Sequence, residues 1–438
     1  MAERLICLLL ILSSLLISVP VYSFNLTFTP DLSVSTEYTD NLFLSERREQ
    51  NDLITIFSPN FSLELRDRHH GIDFSYSPSY SMYKNWTENN TWRHRLHCFA
   101  WTDISARTRI EVDDAFLRTE DPLDEEDVYL PDNEPLVSTD ATRERGRSTY
   151  WTNTARLNLT HQFGRDDSFF VRYIHGMRKT NDPEDEDNLR HNPSIGVTYW
   201  FGPTWGFDTE IGYTKTDYSG GSRDSGSDDF DEWDWSLRIN RRFGHQLEGF
   251  TRYECAATDY EGDEEDYTTH DFAAGFEYDL SRHTHISFDA GYFIQDNEDS
   301  EDESGMVLNA SFVERFRRGS FTFSGSRGQT ESRYGAENLG FSEYYEVRCE
   351  GSYMLTRRIT ADIAVSYRKD MYKDEDPERD DKTKRFSTGL TWLCRDWLNF
   401  RVDYSYNVVD STDDAESYRE NRCMFTITLT PPRPYRLN

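Results

Sequence analysis

The sequence predicts an all-β chain, an antiparallel up-and-down transmembrane β-barrel of about 20 strands (18–22) with short periplasmic turns and longer acidic extracellular loops. Three observations carry the prediction: apolar and polar residues alternate with period two, the alternating runs are long enough to cross a bilayer, and short and long connections take turns.

The alternation is clearest in the last hairpin. Leu398, Phe400, Val402, Tyr404, Tyr406 and Val408 share one parity, and Asn399, Arg401, Asp403, Ser405 and Asn407 the other. After the acidic connection Asp410 to Glu416, Cys423, Phe425, Ile427 and Leu429 alternate with Arg422, Met424, Thr426 and Thr428. A helix would repeat its apolar residues every 3.6 positions, so both halves read as strands with one greasy and one polar face. The same pattern recurs upstream, for example at Ile72 to Ser81, Trp233 to Asn240, Ile286 to Gln295 and Ile359 to Arg368.

Short connections are Gly, Pro or basic, as at Arg66 to Gly71, Gly202-Pro203, Ser281-Arg282-His283 and Arg395-Asp396. Longer acidic ones lie between them: Asp121 extending to Arg147, Asp182 to Asp187, Ser219 to Glu232, Glu261 to Asp266, Asp296 to Glu303, Asp374 to Asp381 and Asp410 to Glu416. An even strand number places both ends of the barrel at the short-turn rim. Trp200 and Trp205 flank one short turn and Trp392 and Trp397 another, so these four are candidates for an aromatic girdle at the headgroup level; ordinary sheet aromatics are the alternative.

The chain has 438 residues and a formal charge of −32, with a mean hydropathy of −0.80. Such averages would suggest a soluble acidic protein, but they mislead where lipid-facing and lumen-facing residues alternate. An aromatic content of 15% argues against disorder. Residues 1–23 carry Arg4, an apolar run from Leu5 to Val19 and a short permissive tail, and read as a secretory signal peptide, with the barrel occupying 24–438. After Phe24 there is no run of about 18 apolar residues, so a helical membrane protein is excluded. Cys98, Cys255, Cys349, Cys394 and Cys423 fall on the apolar parity of their strands and read as small hydrophobes rather than disulfide partners or metal ligands.

The run Leu32-Ser33-Val34-Ser35-Thr36-Glu37-Tyr38-Thr39-Asp40-Asn41-Leu42-Phe43-Leu44 resembles the opening of the outer-membrane β-barrel porins encoded with exopolysaccharide and PEP-CTERM protein-sorting loci of Gram-negative bacteria. Asp52 to Pro59, Tyr76-Ser77-Pro78-Ser79-Tyr80 and the closing Thr428-Leu429-Thr430 are also similar to that family. The resemblance implies an outer-membrane barrel tied to polysaccharide secretion or surface assembly. One departure stands out. Many such barrels end on a terminal aromatic that the barrel-assembly machinery reads, whereas here the cluster Pro431-Pro432-Arg433-Pro434 follows the last strand and is expected to stop it, leaving Phe425 or Tyr435 for that role.

The polar parity carries the candidate lumen-lining residues Arg156, Arg172, Arg238, Arg242, Arg252, Arg348, Arg368, Arg385, Arg401, Arg422, Asp289, Glu346, Asp362 and Asp403. Charges in that number need water or one another, so the interior is expected to be a wet, ion-paired tube. Either the arginines attract an anionic or polar solute, or cross-strand ion pairs only stiffen the wall. The acidic loops are solvated surface or collect Ca²⁺ or Mg²⁺ that bridge to anionic lipid or polysaccharide.

No catalytic residue, cofactor or metal site is assigned, and the chain is not expected to be an enzyme. Gly220-Gly221-Ser222-Arg223-Asp224 lacks the second Gly of a nucleophile elbow, and neither a His-Glu-x-x-His nor a phosphate loop occurs. The expected partners are outer-membrane lipid, the barrel-assembly machinery, and polysaccharide or divalent cations; nucleic acid is not expected. The functional readings are a porin-like channel or export barrel linked to exopolysaccharide secretion, a non-conducting scaffold displaying acidic loops, and, third, a barrel hydrolase using strand histidines such as His94, His97, His161, His175, His270 and His285.

Overall fold

The computed structural model describes residues 25–123, 146–183, 185–220, 229–262, 265–298, 300–331, 341–372, 379–413 and 416–437. The signal peptide expected over 1–23 and the centres of several acidic loops lie outside the described residues.

Twenty strands form the wall. The first ten are β1 (Asn25–Thr39), β2 (Asp52–Arg66), β3 (His70–Tyr83), β4 (Thr91–Ser105), β5 (Thr108–Thr119), β6 (Tyr150–Gln162), β7 (Ser168–Thr180), β8 (Glu186–Trp200), β9 (Trp205–Gly220) and β10 (Phe230–Arg242). The rest are β11 (Leu247–Tyr260), β12 (Tyr267–Asp279), β13 (Thr284–Asn297), β14 (Glu303–Phe316), β15 (Gly319–Glu331), β16 (Phe341–Thr356), β17 (Ile359–Tyr372), β18 (Arg379–Arg395), β19 (Leu398–Ser411) and β20 (Tyr418–Leu429). Each pairs antiparallel with its neighbours in sequence, and β1 meets β20 from Leu32↔Leu429 to Thr39↔Arg422, so the sheet closes. Closure leaves no free edge, which a sheet in lipid requires.

The prolines behave only partly as expected. They end β20 at Leu429, but the chain re-enters the sheet as β21 (Tyr435–Leu437), pairing Leu26↔Leu437 to Phe28↔Tyr435 along the lower part of β1. Proline removes ladder donors only where it stands; beyond Pro434 the N–H groups are available again.

The exposed large side chains, among them Val34, Phe57, Ile211, Phe272, Val347, Ile363, Leu390 and Val402, occupy one parity of their strands all round the barrel. Cys98, Cys255, Cys349 and Cys423 share that outer face as free thiols. Strands of 12 to 17 residues exceed the about 9–11 needed to cross the hydrocarbon, so the wall rises above it on the loop side. There the outer face turns charged: Lys215 pairs with Glu261 at 3.0 Å, Lys369 with Asp380 at 2.7 Å and Lys384 with Asp410 at 2.8 Å.

Candidate functional site: a lumen closed on one side

The fourteen candidate lining residues all stand on the parity opposite the exposed apolar side chains. Most of the arginines have a carboxylate partner. Arg172 lies 3.6 Å from Glu210, Arg242 3.0 Å from Asp166 and 3.3 Å from Glu248, and Arg252 3.8 Å from Asp289. Arg238 pairs with Glu277 and Glu248. Further round, Arg348 and Arg368 each stand 3.8 Å from Glu346, while Arg401 bridges Asp403 at 2.7 Å and Asp362 at 3.2 Å. Arg156 and Arg385 occupy the same inner parity of β6 and β18.

Trp205, Trp392 and Trp397 stand exposed near the short-turn rim. Trp200 does not join them. Register pairs it with Gly206, whose inner parity it shares, and the Arg242 guanidinium stacks 3.4 Å over its ring. Because Trp205 is the neighbour of Gly206, two tryptophans flanking one turn here face opposite ways, and Trp200 is corrected from the girdle to the inner wall.

The densest group of inner residues lies at the seam, on the loop side. Residues 40–51, after β1, turn into the barrel mouth instead of away from it: Leu42 and Leu44 are 0% exposed, packing on the inward Ile54, Ile56, Tyr83, Val409 and Tyr418. Leu44 takes a φ of 50°, a left-handed conformation uncommon for leucine and retained by its surroundings. Asn41 ties the loop to itself and to the wall, donating to the carbonyls of Ser45 and Arg419, each at 2.9 Å. Asp40 accepts from the Asn421 backbone at 2.7 Å.

Beneath this loop lies a buried charge network. Arg422 of β20 makes a bidentate pair with Asp121 at 2.9 and 3.2 Å, and also contacts Glu420 at 3.1 Å and Glu37 at 3.6 Å. Arg147, just before β6, pairs with Asp121 at 3.2 Å and donates to the Leu42 carbonyl at 3.0 Å. Arg93 pairs with Glu120 at 2.6 Å, which also accepts from the Tyr83 hydroxyl at 2.6 Å. Burial works against the Asp121 carboxylate, but Arg422, Arg147 and Arg93 outweigh it and hold the carboxyl well below the usual range. Of these residues only Arg422 was a candidate from alternation; Arg147 and Asp121 read as the two ends of one acidic loop. Asp40-Asn41-Leu42-Phe43-Leu44 was the available signal, since apolar residues at every second position of a connection need something to cover them.

Opposite the seam the wall is low. A cavity of about 1030 Å³ lies against β12 to β16, lined by Ser287, Asn309, Ser311, Thr322, Ser324 and Ser326, with Glu346, Arg348 and Glu350 at its side. Short hydroxyl and amide side chains project little into the lumen here.

A sequence profile described as "Putative beta-barrel porin 2" matches residues 330–430, and one described as "Putative MetA-pathway of phenol degradation" matches residues 176–305. No curated protein sequence matches. Among solved structures, the chain resembles the siderophore receptor PirA from Acinetobacter baumannii, with 8% identity, 92% of this chain and 80% of that chain covered, and a TM-score of 0.53. It also resembles the FrpB iron transporter from Neisseria meningitidis (F5-1 variant), with 10% identity, coverage of 92% and 82%, and a TM-score of 0.50. At such identities the structural likeness speaks for the fold. The chain is a porin-like barrel of the Gram-negative outer membrane. Within this barrel, the seam network and the inward loop fill one side of the mouth, and the hydroxyl-lined cavity lies away from them, extending to the short-turn rim at Ser281 to His285.

Proposed function

We propose that the barrel conducts polar or anionic solutes along the β12 to β16 wall, in the service of extracellular polysaccharide export or of small polar solutes. The observation that carries this is the hydroxyl-lined cavity of about 1030 Å³ beside Arg348, on the side away from the filled seam. The ten inner arginines, most of them paired with inner carboxylates, act here as a fixed, largely neutralised lining: ion pairing stiffens the wall, and arginines at the cavity edge favour carboxylate or phosphate groups. Trp205, Trp392 and Trp397 would sit at the inner headgroup level. The link to polysaccharide rests on the resemblance of Leu32 to Leu44 and of the closing strand to barrels of exopolysaccharide loci.

Reconstitution in planar bilayers tests the reading. Ohmic conductance steps that polysaccharide fragments block are expected. Steps without block would leave small solutes as the cargo, and a silent barrel would favour a scaffold whose acidic loops hold polysaccharide or divalent cations.

A further inference from the structure

The outer face carries one feature that neither conduction nor the bilayer explains. Asp114 stands on the outer parity of β5, between Val112 and Phe116 and six residues up from the short-turn end at Thr108. That depth lies within the about 9–11 residues a tilted strand spends in hydrocarbon. Among the described residues it is the one outward carboxylate standing away from both rims. Its neighbour on β6, Asn153, also points outward and donates to it at 2.6 Å.

Two strands further, Tyr173 on β7 bonds its hydroxyl to His191 on β8 at 2.7 Å, and the His175 and His191 rings stand 4.9 Å apart. Similar outward Tyr–His pairs stand at Tyr76 with His94 and at Tyr253 with His270, and the outer face between the rims is otherwise dominated by residues such as Ile211, Trp235, Phe272, Val347, Val365 and Leu390, so the acid and its amide are what set this patch apart. Lipid tails offer a carboxylate no hydrogen bonds, so an acid and an amide facing them directly are disfavoured.

We propose that the outer face of β5 to β8 is the contact for a second copy of this chain within the membrane. A two-fold contact brings a patch against itself, so the patch must carry both partners of each interaction. This one does: a carboxylate on β5, and hydroxyl and imidazole donors on β7 and β8. A two-fold axis near β6 brings the partner's β7, with its Tyr173, opposite Asp114, and the partner's His191 stands on the adjoining strand. A second copy therefore supplies the acid with donors that lipid lacks.

The test uses the full-length barrel in native outer membranes, in a background without the other strand cysteines. Tyr173→Cys should form a cross-linked dimer of twice the chain mass with a short thiol-reactive cross-linker, while Ile363→Cys, on the distant β17, should not. Native mass spectrometry in mild detergent should give the same dimer, and Asp114→Leu should convert it to monomer while keeping the gel shift of a folded barrel. Equal cross-linking at both positions, a cross-linked product of another mass, or a monomer throughout would overturn the proposal.

Discussion

Asp121 faces three arginines from three parts of the chain: Arg93 on β4, Arg147 before β6 and Arg422 on β20. Replacing it with Asn would remove the carboxylate of the buried Arg147 and leave Arg422 only Glu420 and Glu37; breaking such a buried pair typically costs about 3–5 kcal/mol. The loss should appear as a lower unfolding midpoint in urea. The pH dependence follows from the sign of the shift. A carboxyl whose folded pKa is depressed contributes its stability fully above the unfolded value of about 3.9, and loses it only as pH falls through the lower folded value. The contribution of Asp121 should therefore be flat from pH 7 to about 4.5, and the gap between wild type and Asp121→Asn constant over that range. A gap that closes on going from pH 7 to 5 would contradict the pairing. The tryptophans make a second residue-scale case, since Trp205 and Trp200 differ by face rather than by height. Brominated lipid should quench a chain retaining only Trp205 and leave one retaining only Trp200 bright; equal quenching would put Trp200 back in the girdle.

At the scale of elements, the loop after β1 is held by Leu42 and Leu44 against inward wall residues and by Arg147 from the next long connection but one. Truncating a buried leucine to alanine costs about 2–5 kcal/mol. A surface loop can undock before a barrel unfolds, so the double variant Leu42→Ala/Leu44→Ala should release the loop rather than lower global stability. Its expected signature is a severalfold larger conductance and new protease cleavage within residues 40–51, with unchanged heat-modifiability on gels. Unchanged conductance would mean the loop does not restrict the path. The strands themselves were legible because lipid and water impose the same two-residue rhythm on every one, and Leu398 to Val408 shows it without an exception. The inward loop was not, because alternation reports which face a side chain takes in a sheet and says nothing of where a connection folds. Trp200 was misjudged for a related reason: flanking a turn gives height, and the face depends on a register that shifts by one residue across it. The return of Tyr435 to Leu437 to the sheet was hidden by the prolines before it.

For the whole molecule, a chain of charge −32 becomes a membrane protein by separating its two surfaces rather than by any apolar segment. The outer surface between the rims is largely aliphatic and aromatic, with the Asp114 patch and outward Tyr–His pairs as its polar points; the inner surface pairs its charges across strands; and the mouth is filled at the seam, with the hydroxyl-lined cavity lying away from it toward the short-turn rim. This asymmetry joins closure to passage, because the residues that seal β1 against β20 also anchor the loop that narrows the mouth. The strongest single test uses two adjacent residues of β15, Phe323 on the outer face and Ser324 against the cavity. Each is replaced by Cys in a cysteine-free barrel, and modification by a charged, membrane-impermeant thiol reagent is followed in bilayers. Ser324→Cys should react and its conductance fall stepwise, while Phe323→Cys stays unmodified; reaction at Phe323→Cys, or none at Ser324→Cys, would contradict a water-filled lumen along this wall.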